Sequence, residues 1–346
     1  MPKSPTFDRR KPRTIVYGVF KGMGDLLCAA PTIVAVLSDV EEMVLVVFPQ
    51  LREAVDLIEF GPQRHKLKLA ILPAAHGPTV RDFLKDISRY STDLIWISPH
   101  APMGATTWKT PFLMWALKRL YWTRAVLAGE KSERLSWLFD TRVTVDRRAP
   151  FMVKEWQAFS ALQLSAPAPL PEAIGLIESI ASIRSQTAKY DLIIHPGAAA
   201  ENRKWPWPFY RDVVARIPAG QRIAVVGLPD DVDALRAVLP ADRSIEFLTG
   251  TLTESVKAIA RSRVALTMDS GSMFFANALR VPTVSLFGTS NPATVVAPGS
   301  SVTPVFEVNC PCQPCGKPTC SQSSLICLSS INPQKVADLL LGLLNR

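Results

Sequence analysis

The chain has 346 residues, 39 Lys and Arg against 30 Asp and Glu, and 48% apolar residues, a composition that belongs to a folded soluble protein of about two domains. A formal net charge of +9 favours acidic partners, whether nucleotides, phosphorylated sugars, anionic lipid surfaces or nucleic acid, without choosing among them. Six cysteines are too few for a disulfide scaffold of this size.

The opening MPKSPTFDRRKPR sets Lys3, Arg9, Arg10, Lys11 and Arg13 against Asp8 alone, the pattern of a solvated end. IVYGVF follows, but Lys21 and Asp25 interrupt the apolar run and no small-residue cleavage pattern comes after it. A cytoplasmic setting is therefore expected rather than a signal peptide. The longest uncharged stretch, Val281 to Phe306, is broken by Pro, Gly, Ser and Thr and does not read as a membrane span.

Short β-branched runs alternate with longer amphipathic segments, which predicts βα units winding a parallel sheet. In the first half the strand candidates are TIVYGV (14–19), MVLVVF (43–48), KLAIL (68–72) and DLIWIS (93–98). The pattern restarts with DLIIH (191–195), RIAVVG (222–227), RVALTM (263–268) and TVSLF (283–287), so two open α/β domains are expected. Between them SAPAPLPEAI, residues 165–174, carries three prolines and reads as a linker. The expected division is 1–170, 171–330 and a final amphipathic helix within 331–346 that packs back on one of the domains, the first being the expectation.

Three turns carry candidate chemistry. In KGMGDLLCAAP the pair Gly22 and Gly24 is similar to a dinucleotide fingerprint, but Leu27 stands where its third Gly belongs, and an oxidoreductase reading is poor. Asp25 there reads either as a helix cap or as a catalytic carboxylate. In IIHPGAAAENRKWPWPFYRDVV, Arg203 and Lys204 precede a helix N-terminus, whose dipole they oppose unless an anion sits between or they are merely solvated. In MDSGSMFFANAL, Asp269, Ser270, Gly271 and Ser272 form a strand-to-helix turn where backbone N–H groups can meet an oxygen-rich ligand, against the simpler reading of a plain cap.

Together with VVGLPDD, LTGTLTESVKAIARSRVALTMDSGSMFFANALRVPTVSLFGTSNP and CLSSINPQKVADLL, these blocks resemble glycosyltransferase family 9, the lipopolysaccharide heptosyltransferase family, over most of the chain. The resemblance implies a GT-B fold: two Rossmann-like domains with parallel sheets facing across a cleft, an acceptor in the N-terminal domain and a nucleotide-sugar donor, ADP-heptose above all, in the C-terminal one. It implies Asp25 as general base and Lys204 as a basic residue facing the donor. Asp231 then falls near a nucleoside contact, and Asp269, Ser270 and Gly271 match the donor turn, with Ser for the usual Thr. Where the family usually has His three residues after that glycine, this chain has Phe274. A transferase of this kind needs a base for the acceptor hydroxyl and prearranged positive groups for the departing diphosphate. The 270–273 turn, Arg203 and Lys204 would supply the latter, with Ser272 partly standing in for the missing imidazole and no metal or other cofactor required. The rival reading is a GT-B binding or regulatory protein that has lost transfer, or a transferase for another nucleotide-sugar. No nucleic-acid motif is present.

Two constellations stand apart. TTWKTPFLMWALKRLYWTRAVLAGEK (106–131) interleaves Trp108, Phe112, Trp115, Tyr121 and Trp122 with Lys109, Lys118, Arg119 and Arg124, which suits helix packing on the first sheet or a membrane interface carrying a lipid-linked acceptor. Cys310, Cys312, Cys315, Cys320 and Cys327 lie within eighteen residues and read as a zinc or iron site or as reduced thiols.

Overall fold

The computed structural model describes residues 12–19, 22–72, 85–98, 109–131, 136–162, 164, 174–297, 299–317, 319–320 and 326–346, the side chains of 109–113 excepted. Most of the basic opening segment, Lys21, Trp108 and most of the proline linker lie outside these residues. The chain forms two compact units, Met1–Ile174 and Gly175–Arg346.

The first unit runs β1 (Thr14–Val19), α1 (Met23–Leu37), β2 (Glu42–Val47), α2 (Arg52–Leu57), β3 (Leu67–Ile71), β4 (Leu94–Ile97), α3 (Lys109–Tyr121), β5 (Val126–Glu130), β6 (Thr141–Val143) and α4 (Phe151–Ala161). Its six strands form one sheet in the order β3-β2-β1-β4-β5-β6, all pairs parallel. Such a sheet is covered on both faces, so its central strands are apolar throughout rather than alternating. Ile15 to Val19 of β1 are all buried, as are all four residues of β4. Helix α1 is buried from Leu26 to Ile33 and packs against α4. Each large apolar side chain removed from water here contributes about 1.5–3 kcal/mol.

The aromatic stretch 106–131 is divided by the structure. Helix α3 buries Met114 and Leu117 toward the sheet, Trp122 ends it with its ring N–H donating to Tyr90 O at 3.0 Å, and β5 follows. Leu120, Tyr121 and the nearby Trp137 remain exposed. Thus one face packs and the other carries apolar surface beside Arg119 and Arg124.

The second unit runs α5 (Glu178–Ala181), β7 (Tyr190–His195), α6 (Trp207–Val214), β8 (Ile223–Gly227), α7 (Pro229–Val238), β9 (Ile245–Thr249), α8 (Leu252–Ala260), β10 (Ser262–Met268), α9 (Gly271–Ala278), β11 (Thr283–Phe287), α10 (Pro292–Val295), β12 (Val302–Phe306), α11 (Ile326–Ser329) and α12 (Pro333–Leu344). Its sheet, also parallel throughout, has the order β12-β11-β10-β7-β8-β9. Local signals fix the helix starts. Thr251 and Glu254 close a reciprocal capping box on α8, and Asn332 accepts the Gln334 N–H at 2.8 Å to start α12.

The final helix packs in the second unit, on α6, β10 and β11. Its stripe of Val336, Ala337, Leu340 and Leu344 completes the core around β7, β8, β10 and β11, and Arg263 Nη2 donates to Leu344 O at 2.7 Å.

Candidate active site

Open parallel sheets bind ligands beyond the carboxyl ends of their strands, where the strand order reverses. In the second sheet that point lies between β7 and β10. The second-unit donor residues expected from sequence sit on the chain leaving β7, β8 and β10.

After β7, residues 196–200 lead into a tight 3₁₀ turn, Glu201–Arg203, and then Lys204. Buried Trp205 anchors this loop, its ring N–H donating to Leu328 O at 3.1 Å. Lys204 Nζ lies 2.8 Å from Asp231 Oδ1 and 2.5 Å from Glu201 Oε1. The negative charge that the sequence requires beside these cations is thus supplied to Lys204 by the chain itself. Burial disfavours its charged form, but the hydrogen bonds and charges of Asp231 and Glu201 outweigh burial and hold the ammonium pKa above its usual value. Gly197 makes room for this array: a Cβ there would come within 2.8 Å of Asp231 Oδ2 and 3.2 Å of His195 Cε1.

Arg203 turns the other way. Its Nη1 lies 3.8 Å from Asp269 Oδ2, at the end of β10. Burial raises the Asp269 carboxyl above its usual range, against the lowering effects of Arg203 and a hydrogen bond from Ser290. Ser270 is the residue that opens α9, with extended backbone (φ −150°, ψ 175°), yet its side chain makes no capping hydrogen bond. Its Oγ lies instead 2.7 Å from Ser272 Oγ. The plain-cap reading of this turn is not what these hydroxyls do.

His195, Thr267 and Ser285 are register neighbours across β7, β10 and β11. Among the described residues, buried His195 Nδ1, Thr267 Oγ1 and Ser285 Oγ have no hydrogen-bond partner, nor do Asn202 Oδ1, Arg203 Nε and Thr289 Oγ1 on the adjoining loops. Burial also holds the His195 imidazole below its ordinary pKa, so it is neutral at pH 7. An unsatisfied buried polar atom costs about 1–3 kcal/mol. Their gathering at these strand ends fits a surface organised for a polar ligand better than one organised for stability.

In the first sheet the reversal lies between β1 and β4. Asp25, in the first turn of α1, is half-buried and accepts the Gly22 N–H through Oδ2 at 2.8 Å. The cap therefore forms, and it fixes the carboxylate at the carboxyl end of the sheet. Capping and proton transfer are compatible roles for one carboxylate.

The cysteine segment is hydrogen-bonded to the loops that follow β7 and β11. Gln313 Oε1 accepts the Cys310 N–H at 3.1 Å while its Nε2 donates to Gly288 O at 3.0 Å. Gly316 N donates to Thr289 O at 2.8 Å, and Asn202 Nδ2 donates to Lys317 O at 3.0 Å. All six cysteines are free of disulfides, and Cys310 Sγ lies 3.0 Å from Cys312 Sγ. That thiol hydrogen bond lowers the Cys310 pKa and pushes Cys312 up to about 11. Among the described residues no three His, Cys, Asp or Glu side chains are grouped to hold a metal ion.

The sequence profile of glycosyltransferase family 9 (heptosyltransferase) matches residues 105–326. The chain belongs to glycosyltransferase family 9. It is 28% identical over 198 residues to lipopolysaccharide heptosyltransferase 1 of Pseudomonas aeruginosa, an alignment covering 51% of this chain and 55% of that protein. The chain thus spans just over half the length of this curated relative. A glycosyltransferase family 9 crystal structure from Veillonella parvula superposes with a TM-score of 0.70 at 19% identity, covering 96% of this chain and 97% of that one. The ADP-heptose lipopolysaccharide heptosyltransferase II of E. coli gives 0.67 at 19% identity, covering 96% and 98%. The fold is therefore GT-B, as the sequence resemblance implies.

Within this family frame, sequence reasoning missed four contributors: His195, Glu201 as the partner of Lys204, and Thr289 with Ser290. The signal for the last two was present. GTSNP leaves β11 with the same polar density as DSGS leaving β10.

Proposed function

We propose that this family 9 protein is an inverting glycosyltransferase that moves a sugar, heptose from ADP-heptose, onto a lipopolysaccharide-type glycan acceptor. The observation that carries the reading is the array at the β7/β10 reversal, where Arg203, the Asp269 carboxyl, the α9 N-terminus and a row of buried polar atoms without a partner among the described residues meet. The curated relative and the E. coli neighbour, both heptosyltransferases by name, support the sugar.

In this reading Asp25 takes the proton of the acceptor hydroxyl as that oxygen attacks the anomeric carbon. A new carbon–oxygen bond forms on one face while the bond to the diphosphate breaks on the other, which inverts the centre. Diphosphate is already a good leaving group, so no second carboxylate acid is needed. Its growing charge is met by Arg203, Lys204, the hydroxyls of Ser270 and Ser272 and the N–H groups beginning α9, while Asp231 and Asp269 orient the nucleoside and the sugar. Lys204 would then exchange part of its carboxylate contact for phosphate. The transfer as written draws on no cofactor.

The acceptor belongs to the first unit in this reading. Exposed Leu120, Tyr121 and Trp137 beside Arg119 and Arg124 suit peripheral contact with the cytoplasmic face of a membrane that carries it. No described helix is long and apolar enough to cross a membrane. Metal analysis of the purified protein decides whether the five clustered cysteines carry zinc or iron or remain reduced thiols.

Thermal-shift measurements with ADP-, GDP-, UDP- and dTDP-sugars test the donor. Selective stabilisation by ADP-heptose is expected. Stabilisation by another nucleotide-sugar would reassign the donor, with Phe274 the first residue to consider, and stabilisation by none would favour a protein that has lost transfer.

A further inference from the structure

Glu155 is a fully buried carboxylate on α4, beneath the carboxyl ends of β1 and β4. Three polar side chains from the sheet converge on it. Tyr17 of β1 donates its hydroxyl to Oε1, Trp96 of β4 donates its ring N–H to the same oxygen at 2.8 Å, and Ser98, the residue just past β4, lies with Oγ 3.2 Å from Oε2. Tyr17 and Trp96 are register partners on adjacent strands. Phe159, one helical turn from Glu155, stacks on Tyr17 at 5.3 Å and meets Trp96 edge-on at 5.2 Å. A packed aromatic frame therefore holds the carboxyl group in one place.

That place is the strand-order reversal of the first sheet. Ser98 N donates to Gly18 O at 3.0 Å, next to the last residue of β1, and Asp25 lies in the first turn of α1, the next element of the chain. Ser98 is half-buried, whereas Tyr17, Trp96 and Glu155 below it are closed to solvent. Of this group, the Ser98 hydroxyl alone stands where a ligand over the strand ends could meet it.

We propose that Ser98 is an acceptor-binding, specificity-determining residue of the transfer reaction, and that Glu155 is the positioning residue that orients its hydroxyl. This deepens the transferase reading and rests on it. A hydroxyl of the sugar acceptor, close to the one Asp25 deprotonates, is the group Ser98 recognises. Burial drives the Glu155 carboxyl well above its usual pKa, which favours the neutral acid. As a neutral acid with two donors already on Oε1, Glu155 can carry its proton on Oε2 and donate it to Ser98 Oγ. Ser98 then accepts from below and donates upward, to an acceptor oxygen. An ionised Glu155 would take the Ser98 proton for itself and leave the acceptor only a lone pair.

The test compares Ser98→Ala, Glu155→Gln and Glu155→Leu in steady-state transfer from ADP-heptose to a heptose-free lipopolysaccharide core oligosaccharide, with donor affinity measured separately by titration calorimetry and folding by thermal melting. Ser98→Ala should raise the acceptor KM about tenfold, the loss of one hydrogen bond, with kcat and donor affinity unchanged. Glu155→Gln, which retains a donor facing Ser98 and an acceptor facing Tyr17 and Trp96, should keep an acceptor KM near that of the wild type. Glu155→Leu should resemble Ser98→Ala in KM and melt lower. A wild-type acceptor KM in Ser98→Ala overturns the proposal, as does a Glu155→Gln protein that melts like the wild type but loses acceptor binding. Failure of the wild-type protein itself to transfer would instead overturn the transferase reading, and this assignment with it.

Discussion

Arg203 and Asp269 stand 3.8 Å apart at the ends of two adjacent loops, the cation half-shielded and the carboxyl only 11% exposed. Among the described residues the buried Arg203 Nε has no hydrogen-bond partner, and burial lifts the Asp269 pKa despite the neighbouring charge and a hydrogen bond from Ser290. Asp269 is held at a cost to folding that a functional role would explain.

Asp269→Asn is therefore expected to raise the melting temperature while weakening donor binding. A carboxyl whose folded-state pKa is raised above 3.8 binds its proton more tightly in the folded chain. Its penalty is absent below 3.8 and grows as pH rises through the folded-state value. The stability advantage of the Asn variant should accordingly be larger at pH 8 than at pH 4, as calorimetric melting would record.

Lys204→Ala should have the opposite effect on stability. It leaves Asp231, 4% exposed, and Glu201 without their shared cation. A partly buried pair broken on one side costs about 2–3 kcal/mol, or roughly 4–12 °C for a unit of this size. Because the raised Lys204 pKa starts from 10.5, this contribution is intact at neutral pH and is lost only as pH climbs above that value. The double variant with Asp231→Ala should lose less than the sum of the two singles by about 1–2 kcal/mol, the coupling that a double-mutant cycle reads. Additive losses would mean that the contact does not hold in solution.

Phe274→His places at the fourth residue of α9 the side chain that the family resemblance implies there. If the donor is a nucleoside-diphosphate heptose, the imidazole adds a donor for phosphate or sugar, and kcat/KM should rise about tenfold with little change in melting temperature. A fall in kcat/KM would assign Phe274 a packing role against a different donor.

Much of the architecture was legible because central parallel strands must be apolar on both faces. IVYGV, VLVV, LIWI, LIIH, AVVG, VALTM and VSLF each became a buried strand. Four other strands carried no such mark. VLAGE of β5 was hidden at the end of the aromatic stretch, TRV of β6 has three residues, and IEFLT of β9 and VTPVF of β12 are half-exposed edge strands, the latter with Pro304 where an edge tolerates it. The donor turn was legible as well, since hydroxyls and a carboxylate after a buried strand are chemically out of place. The internal partners were not. Nothing adjacent to Glu155 in FMVKEWQAFSA separates it from a surface charge, and Tyr17 and Trp96 reach it only once β1 and β4 are paired. Likewise the two carboxylates around Lys204 come from different elements, so the cation looked unpaired until Asp231 was brought beside it.

Transfer by this mechanism depends on the Asp25 carboxylate. Asparagine at this position can still accept the Gly22 N–H through its side-chain oxygen, which preserves the cap, but it cannot take a proton from the acceptor. The decisive measurement is kcat for Asp25→Asn with saturating ADP-heptose and acceptor, alongside donor affinity by calorimetry. A loss of about 10²–10⁴-fold in kcat with donor affinity and melting temperature near those of the wild type is the predicted result. Turnover within a few-fold of the wild type would reduce Asp25 to a helix cap and contradict the mechanism.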